Sequence, residues 1–130
     1  MRRSIYIDEF VHRNPIPNAA RIGNMIVSGL IRGVDPATTA LPPTVEQQCA
    51  FMFQHLRRTV EAGGGTIDDI IKLTVWMSPL QREPVNREWV KMFPDPATRP
   101  ARQIMEASME AGVLVQCEFI AVISGAGEAR

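Results

Sequence analysis

Apolar and polar positions alternate at the start of the chain. In Ser4-Ile5-Tyr6-Ile7-Asp8-Glu9-Phe10, Ile5 and Ile7 share one face and Tyr6 takes the other, which predicts a first strand. Prolines at 15 and 17 then predict a stiff, extended loop over residues 12–18. Residues 20–32 have the pattern of a hairpin: Arg21-Ile22, a turn at Gly23-Asn24, and a buried strand over 25–31. Gly29 inside that strand predicts a bulge or a close backbone approach. Beyond a second loop, with prolines at 36, 42 and 43, the period lengthens. Val45, Cys49, Met52, Phe53, Leu56 and Val60 recur at three- and four-residue steps, Thr44 and Gln47 have capping-box spacing, and Gly63-Gly64-Gly65 supplies a stop, so the segment predicts a helix.

Residues 69–77 predict a strand with Ile71, Leu73, Val75 and Met77 on one face and Lys72 and Thr74 on the other, closed by Pro79. Residues 84–93 predict a shorter helix with Val85, Trp89, Val90 and Phe93 on its buried stripe. Prolines at 94, 96 and 100 stiffen the loop before two closing strands, 101–108 and 113–123, and residues 124–130 predict a frayed tail. The order β-β-β-α-β-α-β-β implies an α+β layer with both helices on one face of the sheet. On the other face Gln116 and Glu118 alternate with Leu114, Ile120 and Val122, too apolar a mixture for plain solvent, and a subunit interface would account for it.

Composition narrows the partners. The 130 residues suit one domain with one core, residues 1–130. Fourteen Lys and Arg balance fourteen Asp and Glu, leaving no excess field for a nucleic acid or an anionic membrane. Cys49 and Cys117 lack C-x-x-C spacing, His12 and His55 are isolated, and Asp8 and Glu9 break any secretory apolar run, so a reduced, cytoplasmic protein without a metal is expected. Phosphate-loop, nucleophile-elbow and zinc-protease motifs are absent, and the triple glycine follows a helix, as a cap does.

One constellation carries chemistry. Arg99-Pro100-Ala101-Arg102 places a guanidinium at the start of a strand, just beyond a proline-stiffened loop. A planar fork held in this way suits the carboxylate of a small organic acid, although an arginine paired with Glu106 or Glu118 would look the same in sequence.

The chain resembles the reactive-intermediate deaminase (Rid, or YjgF) family over nearly its whole length. The likeness is carried by Arg21-Ile22-Gly23-Asn24-Met25-Ile26-Val27-Ser28-Gly29, by Glu46-Gln47 and Val60-Glu61-Ala62-Gly63-Gly64 at the two ends of a helix, by Asp68-Asp69-Ile70-Ile71-Lys72-Leu73-Thr74-Val75, by Val85-Asn86, and by Pro100-Ala101-Arg102 with Cys117-Glu118-Phe119-Ile120-Ala121. The resemblance implies a chorismate-mutase-like α+β fold. It also implies a homotrimer whose sheets form a central barrel and whose ligand clefts lie between subunits. The implied activity is hydrolysis of enamines and imines such as 2-aminoacrylate to a 2-oxo acid and ammonia, without a cofactor. Arg102 would clamp the substrate carboxylate, and the backbone carbonyl of Ile104 would accept from the substrate nitrogen. Ser28 and Gly29 would line the cleft, and Asn86, at the start of the second helix, would support it.

Two departures from the family pattern bear on chemistry. Gln116 stands where deaminating members carry a water-positioning glutamate, with Glu118 about 6.5–7 Å along the same strand face as a possible substitute. Asn14-Pro15-Ile16 replaces Gly-Pro-Tyr, so Ile16 removes a hydroxyl and makes the cleft more apolar. The loop between the last two strands is also one residue shorter. The alternatives are a trimeric carboxylate-binding protein without efficient chemistry, and a deaminase of an unsaturated intermediate of aromatic-ring breakdown such as 2-aminomuconate. The endoribonuclease activity sometimes assigned to the family fits the composition poorly, for want of a basic stripe.

Overall fold

The computed structural model of the chain describes residues 1–8 and 13–124. Its strands are β1 (Arg3–Ile5), β2 (Ala19–Ile22), β3 (Met25–Ser28), β4 (Ile31–Arg32), β5 (Ile70–Met77), β6 (Ala101–Glu106) and β7 (Val115–Val122), with helices α1 (Val45–Ala62) and α2 (Arg82–Met92). They form one sheet in the order β1-β2-β3-β7-β5-β6, with the short β4 also on β7. All pairings are antiparallel except β5 with β6, which are parallel because α2 carries the chain back across the sheet between them.

Strand β7 organises the layers. Val115, Cys117, Phe119 and Ala121 point into the core, while Gln116, Glu118, Ile120 and Val122 point to the open face and stay partly exposed. The helices cover the first face, with α1 against β7, β4 and α2. Met52, Leu56 and Val60 of α1 meet Leu73, Val75 and Met77 of β5 in one apolar cluster, where each fully buried side chain of this size contributes about 1.5–3 kcal/mol over exposure. The α+β arrangement with both helices on one face is as expected from the element order.

Helix α1 begins as its capping spacing predicts: Thr44 Oγ1 accepts from the Gln47 N–H at 3.2 Å. At the other end Gly65 N–H reaches back to the Val60 carbonyl at 3.0 Å, and the left-handed residue is Gly64, with φ of +94°. The last turn of α1 holds no basic residue. Arg3 and Arg21 take that role from β1 and β2, both donating to the Gly63 carbonyl, at 3.2 and 2.9 Å. Gln48 is buried within the apolar stripe with its amide satisfied, donating to the Pro42 and Gly112 carbonyls and accepting from Leu114 N–H.

Several boundaries differ from the sequence reading. The strand expected over 25–31 is broken at Gly29-Leu30: Val27 pairs with Ile120 and Ile31 with Cys117, so four steps on one side oppose three on β7. This is the bulge Gly29 suggested. A second irregularity between Ile70 and Lys72 gives the core position to Ile70 and leaves Ile71 52% exposed, against the expectation that Ile71 faces inward. Helix α2 starts at Arg82, not Pro84, since a proline in the first turn lacks only an N–H that has no partner there. Val90, five residues from Val85 and one from Trp89, lies off the buried line of Val85, Trp89 and Phe93 and is 48% exposed, against the expectation that it faces inward. The first strand ends at Ile5, though Ile5 and Ile7 are buried and Tyr6 exposed as the alternation requires; Glu9, Phe10 and His12 lie outside the described residues. Of the tail, 125–130 also lies outside them, and Ser124 is not frayed: its N–H and hydroxyl both donate to Asp69 Oδ1, at 3.0 and 2.8 Å.

Candidate functional site

The proline loop ahead of β6 is fixed from within. Asp95 accepts from the Ala97 and Thr98 N–H groups, and Arg99 donates to the Phe93 carbonyl at 2.8 Å and to the Pro94 carbonyl at 3.4 Å, tying the loop to the end of α2. Two residues into the strand that follows, Arg102 is in register with Leu73 and therefore points to the helix-covered side. There its guanidinium carbon lies 4.8 Å from the centroid of the Trp89 ring. Trp89 is 8% exposed and is itself braced edge-on by Phe93, at 4.9 Å between centroids.

Arg102 Nη1 is buried and makes no hydrogen bond among the described residues. Pairing with Glu106 or Glu118 is thereby excluded: Glu106 accepts from Leu80 N–H, and Glu118 is on the opposite face of the sheet. Burial, and after it the charge of nearby Arg82, hold the Arg102 pKa below the ordinary guanidinium value. A charged, stacked fork with an unused buried donor is equipped to receive an anion. Ile104 is next on the same face of β6, half-buried. Asn86 is exposed on α2 between Arg82 and Trp89; as the fifth residue of that helix, whose cap position is Gln81, it neither starts nor caps it.

The other candidate residues lie elsewhere. Gln116 is in register with Trp76 and Arg32, and Glu118 with Thr74, all on the open face. Glu118 borders a cavity of about 190 Å³ together with Lys72, Thr74, Trp76, Gln103 and Met105. Ser28 Oγ accepts from Phe119 N–H at 2.9 Å, stitching the bulge, and Gly29 N–H donates to the Asn18 carbonyl. Ile16 is 47% exposed at the rim of a larger cleft of about 690 Å³, walled by Leu30, Arg32, Val34, His55 and Thr59. Across its mouth Arg32 grips Glu110 through both carboxylate oxygens, at 3.1 and 3.2 Å, which holds the Glu110 pKa low. One chain thus brings Arg102, Ile104 and Asn86 to the α2 side of the sheet edge. It keeps Gln116 and Glu118 on the far face and Ile16 at a third location.

Three residues missed in the sequence belong in this description. Trp89 is the platform for Arg102, and Arg82 is a second cation beside it. His55, on the buried stripe of α1, reaches the Val34 carbonyl with Nε2 at 2.6 Å; since a carbonyl only accepts, Nε2 carries the proton, and burial lowers the ring's pKa despite that bond. Cys49, in contrast, is a packing residue: desolvation, then Glu88 and Glu46, push its thiol up to about 12. Among the described residues no group of three His, Cys, Asp or Glu side chains is gathered as a metal ion would require, and no helix is long and apolar enough to cross a membrane.

Comparison with known proteins adds three likenesses. The family model described as Endoribonuclease L-PSP matches residues 8–123. The 2-iminobutanoate/2-iminopropanoate deaminase of Escherichia coli K12 is 32% identical over 111 residues, 83% of this chain and 87% of that one, and a RutC family protein of Haemophilus influenzae is 30% identical over 112 residues. The crystal structure of RidA from an Antarctic Psychrobacter superposes with a TM-score of 0.84 at 25% identity, covering 93% of this chain and 99% of that one.

Proposed function

The chain belongs to the Endoribonuclease L-PSP family, which includes the Rid proteins, and we propose that it hydrolyses a small carboxylate-bearing enamine or imine to a 2-oxo acid and ammonia, without a cofactor. The observation that carries this reading is the buried, unpartnered Nη1 of Arg102 above Trp89. A substrate carboxylate there completes the hydrogen bonding of a charge already stripped of water.

The chemistry asks little of the protein. Water adds to the electrophilic imine carbon, the C–N bond breaks, and ammonia leaves as the C=O forms. Catalysis is then mainly placement of substrate and water, plus removal of a proton from that water. Gln116 is the water-holding candidate, and its amide orients water through the carbonyl oxygen but is a negligible base, so the proton-abstraction part of the rate, about 10²–10⁴-fold, is given up. Glu118, on the same strand face, is the available carboxylate.

Arg102 and Gln116 occupy opposite faces of one sheet. A working cleft therefore needs a second copy of the chain to set its Gln116 face against the Arg102 edge. The half-exposed apolar face carrying Val27, Ile120, Met105 and Val122 supports assembly of that kind, and a closed homotrimer with the sheets as a central barrel satisfies all three copies at once.

A second reading, a trimeric carboxylate-binding protein, draws on Gln116. The two separate in one assay: 2-aminoacrylate is generated with a serine dehydratase and pyruvate release is timed. Acceleration by the wild-type protein, raised further by Gln116→Glu and lost in Arg102→Ala, supports the deaminase. No acceleration by wild type together with a gain in Gln116→Glu supports the binding protein, and no effect of either refutes this substrate.

A further inference from the structure

The Gln116 face and the larger cleft share one residue. Arg32 pairs in register with Gln116 across β4 and β7, so the two side chains leave the same face of the sheet with Cβ atoms about 4.5–5.5 Å apart. Arg32 also walls the cleft of about 690 Å³ that has Ile16 at its rim. Gln116 on the open face and Ile16 beside the cleft are thereby joined through Arg32. On its other side Gln116 is in register with Trp76, which brings no charge. Along its own strand the next side chain on that face is Glu118, and Lys72 pairs one step further on, with Ile120. The cation next in register to the Gln116 amide is the Arg32 guanidinium.

Glu110 decides where that charge stands. Arg32 Nη2 lies 3.1 Å from Glu110 Oε1 and Nη1 donates to Oε2 at 3.2 Å, and Arg32 makes no further hydrogen bond among the described residues. A guanidinium carries five N–H groups, so donors remain. The two side chains are 36% and 74% exposed, and an ion pair so open to solvent adds little to stability. What the pair does is hold the fork at the cleft mouth and offset part of its charge.

We propose that Arg32 is a positioning residue for the hydrolysis, its charge favouring the hydroxide character of the water held at Gln116, with Glu110 setting its place and moderating its strength. The inference rests on the reading of Gln116 as the water-holding residue of a deaminase. The water forms the C–O bond and gives a proton to solvent while the imine nitrogen takes one up. The carbinolamine then expels ammonia as its hydroxyl proton passes through solvent to the nitrogen. The attacking oxygen gains negative character in the first step, and Gln116 orients it without ever carrying a charge. A fixed cation beside the amide stabilises that developing charge and makes up part of what the missing base would supply.

The test uses the assembled protein, with 2-aminoacrylate generated at several rates so that kcat and KM separate, and pyruvate release timed. Arg32→Gln should lower kcat about tenfold with KM held within about twofold, and Arg32→Lys should keep part of the rate. Glu110→Gln should raise kcat about two- to threefold, because it breaks the ion pair and leaves the cation. A latch between two loops would give the opposite pattern, with Arg32→Gln and Glu110→Gln lowering kcat alike. A second measurement needs no turnover: by carbon NMR, the carboxyl introduced by Gln116→Glu should titrate at least about 0.5 pH unit lower beside Arg32 than in the Arg32→Gln background, with Glu118 and Lys72 present in both. No acceleration by the wild type sinks the deaminase reading and this role with it. Turnover indifferent to Arg32, the latch pattern, or a carboxyl that titrates alike in both backgrounds sinks the role of Arg32 alone.

Discussion

Arg102 and Trp89 come from elements on either side of the proline loop and meet face-on, the guanidinium carbon 4.8 Å from the ring centroid. The ring gives the fork a surface to rest on, Phe93 braces the ring edge-on, and Arg99 ties the loop to the carbonyls at the end of the helix. Each step removes freedom from the guanidinium before any ligand arrives, which lowers the entropy lost on binding. The arrangement leaves a buried donor unsatisfied, and that is destabilising on its own.

Arg102→Met should therefore separate function from folding. Methionine keeps the aliphatic contact with Trp89 and removes the orphaned N–H, so the urea midpoint should stay level or rise. Affinity for 2-oxobutanoate should fall by about 2–3 kcal/mol, roughly 30- to 150-fold, by calorimetry. A loss of stability greater than about 1 kcal/mol would assign Arg102 a structural role instead.

His55 makes stability depend on pH in the mildly acid range. Its folded-state pKa is lowered by burial, which outweighs the bond to Val34. As pH falls below the unfolded value of ~6.5, the unfolded chain takes up a proton that the folded chain refuses, so unfolding becomes easier until the folded pKa is passed. The slope from this one group is at most about 1.4 kcal/mol per pH unit. Urea titrations at pH 7.5, 6.5 and 5.5 should show that decline, and His55→Gln should flatten it.

Asp69 acts at lower pH. Burial alone would raise its pKa, but the hydrogen bonds from Ser124 and Thr66 prevail and the net shift is downward. Its contribution is present above the unfolded value of ~3.9 and is lost as pH falls through the folded one. Asp69→Asn sets an N–H₂ against an N–H donor on one side or the other and should cost about 2 kcal/mol at pH 7. It should also blunt the acid limb below pH 4 in circular dichroism. An unchanged acid limb would mean that the Ser124 tether does not persist in solution.

Val27 and Ile120 pair across β3 and β7 on the open face. Val27→Glu leaves the core untouched because the side chain is 41% exposed. Light scattering should then give the mass of one chain, against three for the wild type, and turnover should vanish with the assembly. A wild-type protein that scatters as a single chain would remove the shared cleft altogether.

Helix α1 is readable in the chain because its stripe, cap and glycine stop all agree, and each is a local property. The register errors have a different origin. Ile70 and Ile71 are both apolar and adjacent, so alternation alone does not say which faces inward; the irregular pairing with β7 decides. Arg102 is visible as a candidate because proline rigidity is local, whereas Trp89 beneath it is brought there by the crossover. That Arg102 and Gln116 face opposite ways depends on the pairing of both β6 and β7 with β5, which no run of residues encodes by itself.

The bulge at Gly29-Leu30 changes the parity of the chain. Ile26 and Ile31 are an odd number of residues apart, yet both are buried and both pair with inward residues of β7, Ala121 and Cys117, which are an even number apart. Were the same residues paired continuously with no bulge, Leu30 would oppose Cys117, Arg32 would be driven into the core and Ile31 out of it. One inserted position thus lets a single straight strand serve as a ruler for two segments of opposite phase. It turns Arg32 outward, to where it meets Glu110 across the mouth of the larger cleft.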